Sequence, residues 1–166
     1  MKNHHHCRDH VHYDAREQQS VKEIVADGLK KFKEAGYKKT KKREEILTFF
    51  AEENRYISAQ DVHQHMVKKY PTMSYNTTYR NLYDFVETGL LEGTEYNQEQ
   101  MFRISCGADH HHHHHFICTN CGVAIPLDAC PMDQVTTNLS DVEIEWHRFE
   151  IFGKCQKCKN LGVEQK

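Results

Sequence analysis

The sequence has no long apolar run, and this absence excludes a protein that crosses a membrane by an α-helix. No segment of its 166 residues approaches the about 20 consecutive apolar residues that a membrane-spanning helix needs. The first residues, Met1 to Cys7, also lack the apolar core of a secretory signal peptide. We therefore expect a cytoplasmic protein with no membrane partner, in which the seven cysteines serve metal binding rather than disulfides.

A strong net charge is also absent, but the charges are unevenly divided along the chain. The formal net charge is −2. Residues 28–90 carry 12 basic and 8 acidic side chains, whereas residues 91–166 carry 6 basic and 11 acidic ones. A basic first half beside an acidic second half rich in histidine and cysteine favours a nucleic-acid surface joined to a cation-binding unit. Ordinary surface charge is the alternative explanation.

The cysteines form two Cys-x-x-Cys pairs, Cys118 with Cys121 and Cys155 with Cys158, separated by 33 residues. Two intervening residues let a tight turn bring both sulfurs of a pair to one ion, so two pairs predict a structural zinc with four thiolate ligands. Disulfides or a redox-active pair are the alternatives. The sequence around the pairs shows no thioredoxin-like βαβ pattern, which disfavours the redox reading.

The sequence lacks the motifs of common zinc enzymes. A catalytic zinc needs an open coordination position and a nearby general base. Neither His-Glu-x-x-His nor His-x-Glu followed by Pro-Cys-x-x-Cys occurs in the chain. We therefore expect no enzymatic activity, either as a hydrolase or as a deaminase.

Apolar periodicity predicts four helices in the first half. The first helix has its apolar face between Val21 and Phe32 and is predicted to stop at Gly36. Thr40, Ser58 and Ser74 are candidate N-caps of the other three. Alternation then predicts a β-hairpin, with residues 90–96 and 101–104 flanking a polar turn. This order is that of a winged helix, in which the fourth helix enters the DNA major groove. Its exposed face offers Asn76, Thr77, Arg80 and Asn81.

Shorter elements are expected in the second half. Residues 115–118 and 123–127 are predicted strands around the first cysteine pair, a short helix is predicted within 131–139, and Val142, Ile144 and Trp146 alternate as in a strand. The predicted fold class is α+β: an N-terminal winged-helix DNA-binding domain followed by a small α/β dimerisation domain with a four-cysteine zinc site. The predicted boundaries are a His-rich, disordered arm at 1–19, a DNA-binding domain at 20–105 and a zinc-binding dimerisation domain at 106–166.

Several motifs together resemble the ferric uptake regulator family of dimeric, metal-responsive winged-helix repressors, over about residues 25–160. The motifs are 40-TKKR, 58-SAQD, 78-TYRNL, 113-HHHFICTNCG, 130-CPMD and 147-HRFEIFGKC. Within the family the chain is most similar to the zinc uptake regulators, because Cys106 precedes the histidines and residues 90–92 match the zinc-type hairpin. A histidine precedes Ser58 in the iron-type pattern, and here Tyr56 and Ile57 stand there.

The resemblance implies three metal sites and a DNA-binding face. The structural zinc would be held by Cys118, Cys121, Cys155 and Cys158. The regulatory zinc would be held by Glu92, Cys106, His113 and His115. A possible third site would use His112, His114, Asp133 and His147. The DNA contacts would come from Asn76, Thr77, Tyr79, Arg80, Lys41 and Arg43.

Strand geometry supports pairing His113 with His115, because alternate residues share a face, but the run His110–His115 leaves the register open by one residue.

The resemblance implies that the protein is a zinc-responsive homodimer. It would bind palindromic operators in double-stranded DNA and repress zinc-uptake genes. The thiolate of Cys106 is a soft ligand that favours zinc over iron or manganese. The alternatives are an iron or peroxide sensor of the same family, and a zinc-storage protein that uses the histidine runs.

Overall fold

The computed structural model describes residues 19–105, 114–127, 130–132, 139 and 141–161. Most of the predicted N-terminal arm and part of the predicted helix at 131–139 lie outside these residues. None of the helices described is long and apolar enough to cross a bilayer. In chain order the elements are α1 Val21–Glu34, α2 Lys41–Glu53, β1 Ile57–Ser58, α3 Ala59–Lys69, α4 Tyr75–Glu87, β2 Leu91–Tyr96, β3 Glu99–Ile104, β4 His114–Cys118, β5 Ala124–Leu127, β6 Glu150–Gly153 and α5 Gln156–Asn160.

The four long helices begin at side chains that accept hydrogen bonds from the first turn. Thr40, Ser58 and Ser74 cap α2, α3 and α4 as predicted, each accepting from the backbone N–H three residues later. Ser20 caps α1 in a reciprocal capping box with Glu23, which the sequence analysis did not identify. Gly89 follows α4 with φ of +69°, the left-handed conformation in which glycine carries no steric penalty.

The principal core lies among α1 to α4 and the sheet β1-β3-β2. Its largest fully buried side chains include Phe32, Phe50, Phe85 and Phe102. The four predicted helices and the hairpin are confirmed, but the hairpin turn is shorter than predicted. Asn97 and Gln98 alone connect β2 to β3, and both have positive φ, as a two-residue turn matching strand twist requires.

The second sheet has the order β5-β4-β6, with β5 antiparallel and β6 parallel to the central strand. The parallel register pairs Cys118 with Gly153, so β4 and β6 end together. Each strand runs directly into one of the two cysteine pairs. The sheet therefore delivers both pairs to the same edge.

The alternating segment of Val142, Ile144 and Trp146 is not a strand in this chain. The three side chains are exposed, Trp146 by 77%. Alternation was a sound signal of an apolar face, but a strand also needs a hydrogen-bonding neighbour. Residues 141–149 have none in the sheets described, so this prediction was wrong for the isolated chain.

We predict that Ser74→Ala lowers the free energy of unfolding of the DNA-binding half by about 1 kcal/mol, because Thr77 N–H loses its acceptor. Ser74→Gly is the matched control and should cost only a few tenths of a kcal/mol, roughly, since glycine is a tolerated N-cap. Urea titrations followed by circular dichroism measure both. An unchanged free energy of unfolding in Ser74→Ala would show that the cap of α4 contributes nothing.

Candidate metal centres and DNA-binding face

The two Cys-x-x-Cys pairs lie together at one edge of the second sheet. Cys118 ends β4 and Cys121 lies in the turn after it, while Cys155 stands at the N-cap of α5 and Cys158 is buried within that helix. Their sulfurs all lie within 4.8 Å of one another, and Cys121 Sγ is 3.8 Å from Cys155 Sγ. A disulfide requires about 2.05 Å. The four side chains are free thiols, so the disulfide alternative fails.

The surroundings of Cys118 and Cys121 shift the pKa values of their thiols in opposite directions. Burial raises the pKa of the Cys118 thiol, but the backbone N–H groups of Cys155, Cys121 and Asn120 outweigh it and lower that pKa. Burial and the neighbouring sulfurs raise the pKa of Cys121. A cation among the sulfurs would stabilise their thiolate forms, because a metal binds the thiolate rather than the thiol. A closed set of four sulfurs fits a structural zinc, which accepts tetrahedral thiolate coordination.

A second donor cluster consists of His114, Cys130 and His147, whose ligand atoms lie within 4.8 Å of one another. The two Nε2 atoms are 3.2 Å apart, and Cys130 Sγ lies 3.4 Å from each of them. Zinc bonds of about 2.0 Å to nitrogen and about 2.3 Å to sulfur place tetrahedral ligands about 3.3–3.6 Å apart. The three atoms therefore have the spacing of one face of a zinc tetrahedron.

This cluster agrees only in part with the third site implied by the sequence. His114 and His147 come together as expected, whereas His112 and Asp133 lie outside the described residues. Cys130 takes part although it was not assigned as a ligand. Its place in the 130-CPMD motif was the available signal, because a cysteine outside both Cys-x-x-Cys pairs needs another explanation.

A cavity of about 220 Å³ adjoins this cluster at the boundary between the two halves of the chain. It is lined by Tyr56, Glu92, Gly93, His114, His115, His147, Arg148, Phe149 and Glu150. Glu92 comes from β2, the first strand of the hairpin, while both histidines of β4 reach the cavity from the other half. Opposite faces were expected for His114 and His115. Both nevertheless line the cavity.

Of the proposed regulatory ligands, the structure describes Glu92 and His115, and both line this cavity. Cys106 and His113 lie outside the described residues. Glu92 Oε1 accepts a hydrogen bond from the Tyr56 hydroxyl at 3.1 Å and lies 3.4 Å from Arg103 Nε. The carboxylate thus has a defined orientation at the wall of the cavity.

Polar contacts join the hairpin to the second sheet around the cavity. Arg148 Nη2 donates to the carbonyl of Gly93 at 2.7 Å, and Thr94 Oγ1 donates to Glu150 Oε2 at 2.7 Å. The rings of Tyr96 and Phe152 stack with centroids 5.2 Å apart. Because these pairs are more than 50 residues apart in sequence, periodicity gave no indication of them.

The face of α4 predicted to bind DNA is exposed. Asn76, Thr77 and Arg80 are exposed and Tyr79 is half-buried, with its hydroxyl 3.2 Å from that of Tyr83. Lys41, at the start of α2, is also exposed. These side chains offer hydrogen-bond donors and acceptors of the kinds that contact base edges and phosphates.

Arg43 differs from the other predicted DNA contacts, because its guanidinium is used within the fold. Nη2 pairs with Asp84 at 2.6 Å, Nε donates to Asn81 Oδ1 at 2.8 Å, and Nη1 donates to the carbonyl of Lys38 at 2.8 Å. The group also lies over the Phe32 ring at 4.8 Å. Arg43 therefore fixes α4 against α2, and the sequence alone did not separate this role from phosphate binding.

A family model described as the ferric uptake regulator family matches residues 34–152. The chain belongs to this family. Its members are metal-responsive transcriptional regulators. Two curated relatives named ferric uptake regulation protein support the assignment: one from Staphylococcus epidermidis, 43% identical over 133 residues covering 80% of this chain and 94% of the relative, and one from Staphylococcus aureus, 44% identical over 134 residues covering 81% and 97%.

Solved structures of the ferric uptake regulator family share the fold. A zinc uptake regulator complexed with zinc and DNA superposes with a TM-score of 0.68 at 21% identity, covering 87% of this chain and 98% of that one. The ferric uptake regulator of Helicobacter pylori, described as having three functional metal-binding sites, gives a TM-score of 0.61 at 21% identity over 85% and 95%. At such identities the likeness establishes the fold alone and does not identify the metal.

We predict that Cys118→Ser unfolds the second half of the chain and abolishes self-association, since the binding free energy of a structural zinc is folding free energy. Zinc content by mass spectrometry and the sedimentation coefficient are the measurements. Cys130→Ser is the control, because it removes a thiol outside the four-sulfur cluster and should remain folded. A folded Cys118→Ser protein with its full zinc content would remove these cysteines from the structural role.

Arg80→Ala and Arg43→Ala should separate DNA contact from folding. Arg80→Ala should weaken operator binding by about 1–3 kcal/mol, the value of a lost bidentate base contact, without changing the unfolding midpoint. Arg43→Ala should lower the unfolding midpoint, because Asp84 and Asn81 lose a partly buried partner. Fluorescence anisotropy with operator DNA and thermal denaturation measure the two effects. An unchanged affinity for Arg80→Ala would show that this part of α4 does not contact DNA.

Proposed function

We propose that this chain is a zinc-responsive dimeric repressor that binds palindromic operators when it is loaded with zinc and represses zinc-uptake genes in the cytoplasm. The observation that carries the proposal is the His114–Cys130–His147 cluster beside the cavity that Glu92 lines. It combines ligands suited to zinc with a position at the boundary between the DNA-binding half and the second sheet.

The chemistry of the donors supports zinc as the signal. A thiolate and two imidazoles form a soft, nitrogen-rich set that suits tetrahedral zinc, whereas manganese favours oxygen ligands and higher coordination numbers. Cys106, proposed as a regulatory ligand together with Glu92, His113 and His115, would add a second thiolate. Both sensing sites would thus contain sulfur as well as imidazole.

The mechanism follows from which half of the chain supplies each ligand. Glu92 belongs to the hairpin and His115 belongs to the second sheet. One bound ion would therefore have ligands from both halves of the chain. The contacts of Arg148 with Gly93 and of Thr94 with Glu150 already hold the hairpin against that sheet. An ion with ligands on both sides would bind more tightly when the hairpin lies against the second sheet than when the two are apart. Allosteric control requires such a difference in affinity between two arrangements.

In the favoured arrangement the exposed face of α4 would be presented to the major groove. A dimer of winged helices places two such helices about one turn of DNA apart, and the two-fold symmetry matches a palindromic operator. Asn76, Thr77, Tyr79 and Arg80 would contact DNA from α4. Lys41 would contact the phosphate backbone from α2.

The exposed segment at 141–149 supports a homodimer. Val142, Ile144 and Trp146 project from backbone that has no hydrogen-bonding strand within the described chain, and Ile151 of β6 is also exposed. Exposed apolar side chains on a segment with no strand partner favour pairing with another strand. The identical segment of a second copy would cover the apolar side chains and pair with the backbone. Such self-complementary contacts generate two-fold symmetry.

Iron is the second candidate signal, because the relatives at 43–44% identity are named ferric uptake regulation proteins. A titration distinguishes the metals. Operator binding should appear at the lowest free concentration with buffered zinc, and should require much higher free iron(II) or manganese(II) under anaerobic conditions. Activation by iron(II) at lower free concentration than zinc would assign the chain to iron sensing.

Replacing the sulfur ligands should shift the zinc response while leaving the fold intact. Cys106→Ser and Cys130→Ser should each move the operator-binding curve to higher free zinc, since a hydroxyl near neutral pH is a poor zinc ligand. His110→Ala is the control and should leave the curve unchanged, because it precedes the proposed ligands. Unshifted curves for both cysteine variants would overturn the sensor assignment, and a shift in His110→Ala would show that the histidine register is different.

A further inference from the structure

Tyr56 contacts both the turn that follows the first cysteine pair and the wall of the cavity. Its backbone N–H donates to the carbonyl of Gly122 at 2.8 Å, immediately after the first Cys-x-x-Cys pair. Its hydroxyl donates to Glu92 Oε1 at 3.1 Å. The side chain is only 2% exposed, and the Arg103 guanidinium lies 5.6 Å from its ring centroid. One buried residue therefore links the turn after the first cysteine pair to the wall of the cavity.

The contact at the cysteine end requires a glycine. Gly122 has φ of +74°, and a Cβ at this position would overlap the carbonyl oxygen of Tyr56. Next to it, Arg55 Nη1 lies 3.4 Å from the carbonyl of Cys121. Residues 55–56 thus lie against the backbone of the knuckle formed by Cys118 to Gly122. The backbone of Tyr56 is therefore in direct contact with that knuckle.

The contact at the cavity end fixes a carboxylate. Glu92 stands opposite Arg103 in the hairpin register, and Arg103 Nε approaches the same Oε1 atom that accepts from Tyr56. The hydrogen bond from the Tyr56 hydroxyl and the charge of the nearby Arg103 guanidinium both restrain this oxygen.

We propose that Tyr56 is a positioning residue through which the four-cysteine cluster sets the orientation of Glu92, so that zinc at the cluster raises the affinity of the cavity for zinc. This inference rests on the proposed role of Glu92 as a ligand of the sensing site. An ordered knuckle fixes the backbone of Tyr56, and the phenol then fixes Glu92. The conformational entropy of the Glu92 carboxylate is then lost before zinc binds in the cavity. Zinc at the four-cysteine cluster therefore favours zinc binding in the cavity, which is positive coupling.

The experiment measures zinc affinity on the full chain by competition with a chelator, after the four-cysteine site has been loaded. Tyr56→Phe removes the hydroxyl but keeps the ring and the backbone contact with Gly122. We expect an unchanged zinc content at the cluster, an unchanged sedimentation coefficient and a cavity affinity about tenfold weaker, the order of effect of a lost hydrogen bond to a charged group. An unchanged cavity affinity in Tyr56→Phe would overturn the inference.

A double-mutant cycle tests whether Tyr56 acts through Glu92. Glu92→Gln should weaken cavity binding, and adding Tyr56→Phe should weaken it no further, because the hydroxyl then has no carboxylate ligand to position. Additive losses would show that Tyr56 acts through general stability and would overturn the positioning role. If Glu92→Gln alone leaves the affinity unchanged, the failure belongs to the ligand assignment in the proposed function.

Gly122→Ala tests the link to the knuckle from its other end. The added methyl group displaces Tyr56 while all four cysteines and the Tyr56 hydroxyl remain. We expect retained zinc at the cluster with a cavity affinity reduced as in Tyr56→Phe. Full affinity at both sites would overturn the coupling. If Gly122→Ala also loses zinc from the four-cysteine cluster, amide exchange at residues 55–57 of the parent chain is measured with and without zinc at that cluster. Exchange should slow when zinc is bound there. Equal rates would overturn the coupling.

Discussion

The convergence of four sulfurs is the constraint on which the second half of the chain depends. Among the described residues of that half, the buried apolar core consists of Ile117 and two of the cysteines themselves, Cys118 and Cys158. A unit this small buries too little apolar surface to offset its conformational entropy. Ligation of the four thiols would supply the missing free energy, and the same edge of the sheet contacts the DNA-binding half at Tyr56. The DNA-binding half needs no such help, since it encloses a continuous core of aromatic and aliphatic side chains.

The elements that sequence predicted well are those whose signals are local. Thr40, Ser58 and Ser74 are caps because a side-chain oxygen reaches a backbone N–H three residues away, and this geometry is independent of the rest of the fold. The pairing of Cys118 with Cys121 is local for the same reason. Joining that pair to Cys155 and Cys158 depended on the chemistry of zinc, which requires four ligands.

The features that sequence did not reveal depend on contacts between distant residues. Arg43 carried the charge expected of a phosphate contact, and only its distance to Asp84 showed that the charge is used internally. Cys130 joined a cluster because His114 and His147 were brought to it from other segments. The segment at 142–146 showed the correct periodicity, but its partner strand is absent from the described chain. In each case the residue type was informative, while its partner could be identified only in three dimensions.

The parallel pairing of β4 with β6 has a consequence for biosynthesis. Because Cys118 stands opposite Gly153, both cysteine pairs lie at the same end of the sheet. An antiparallel arrangement would separate them by the strand length, about 13 Å for four residues. Two parallel strands must be joined by a long connection, and here Cys118 is followed by 31 residues before β6 begins at Glu150. The ribosome therefore completes the DNA-binding core at residue 104, well before it supplies Cys158. A nascent chain can fold its first half while the thiols of its second half still lack their partners, so the order of synthesis separates the two folding events in time.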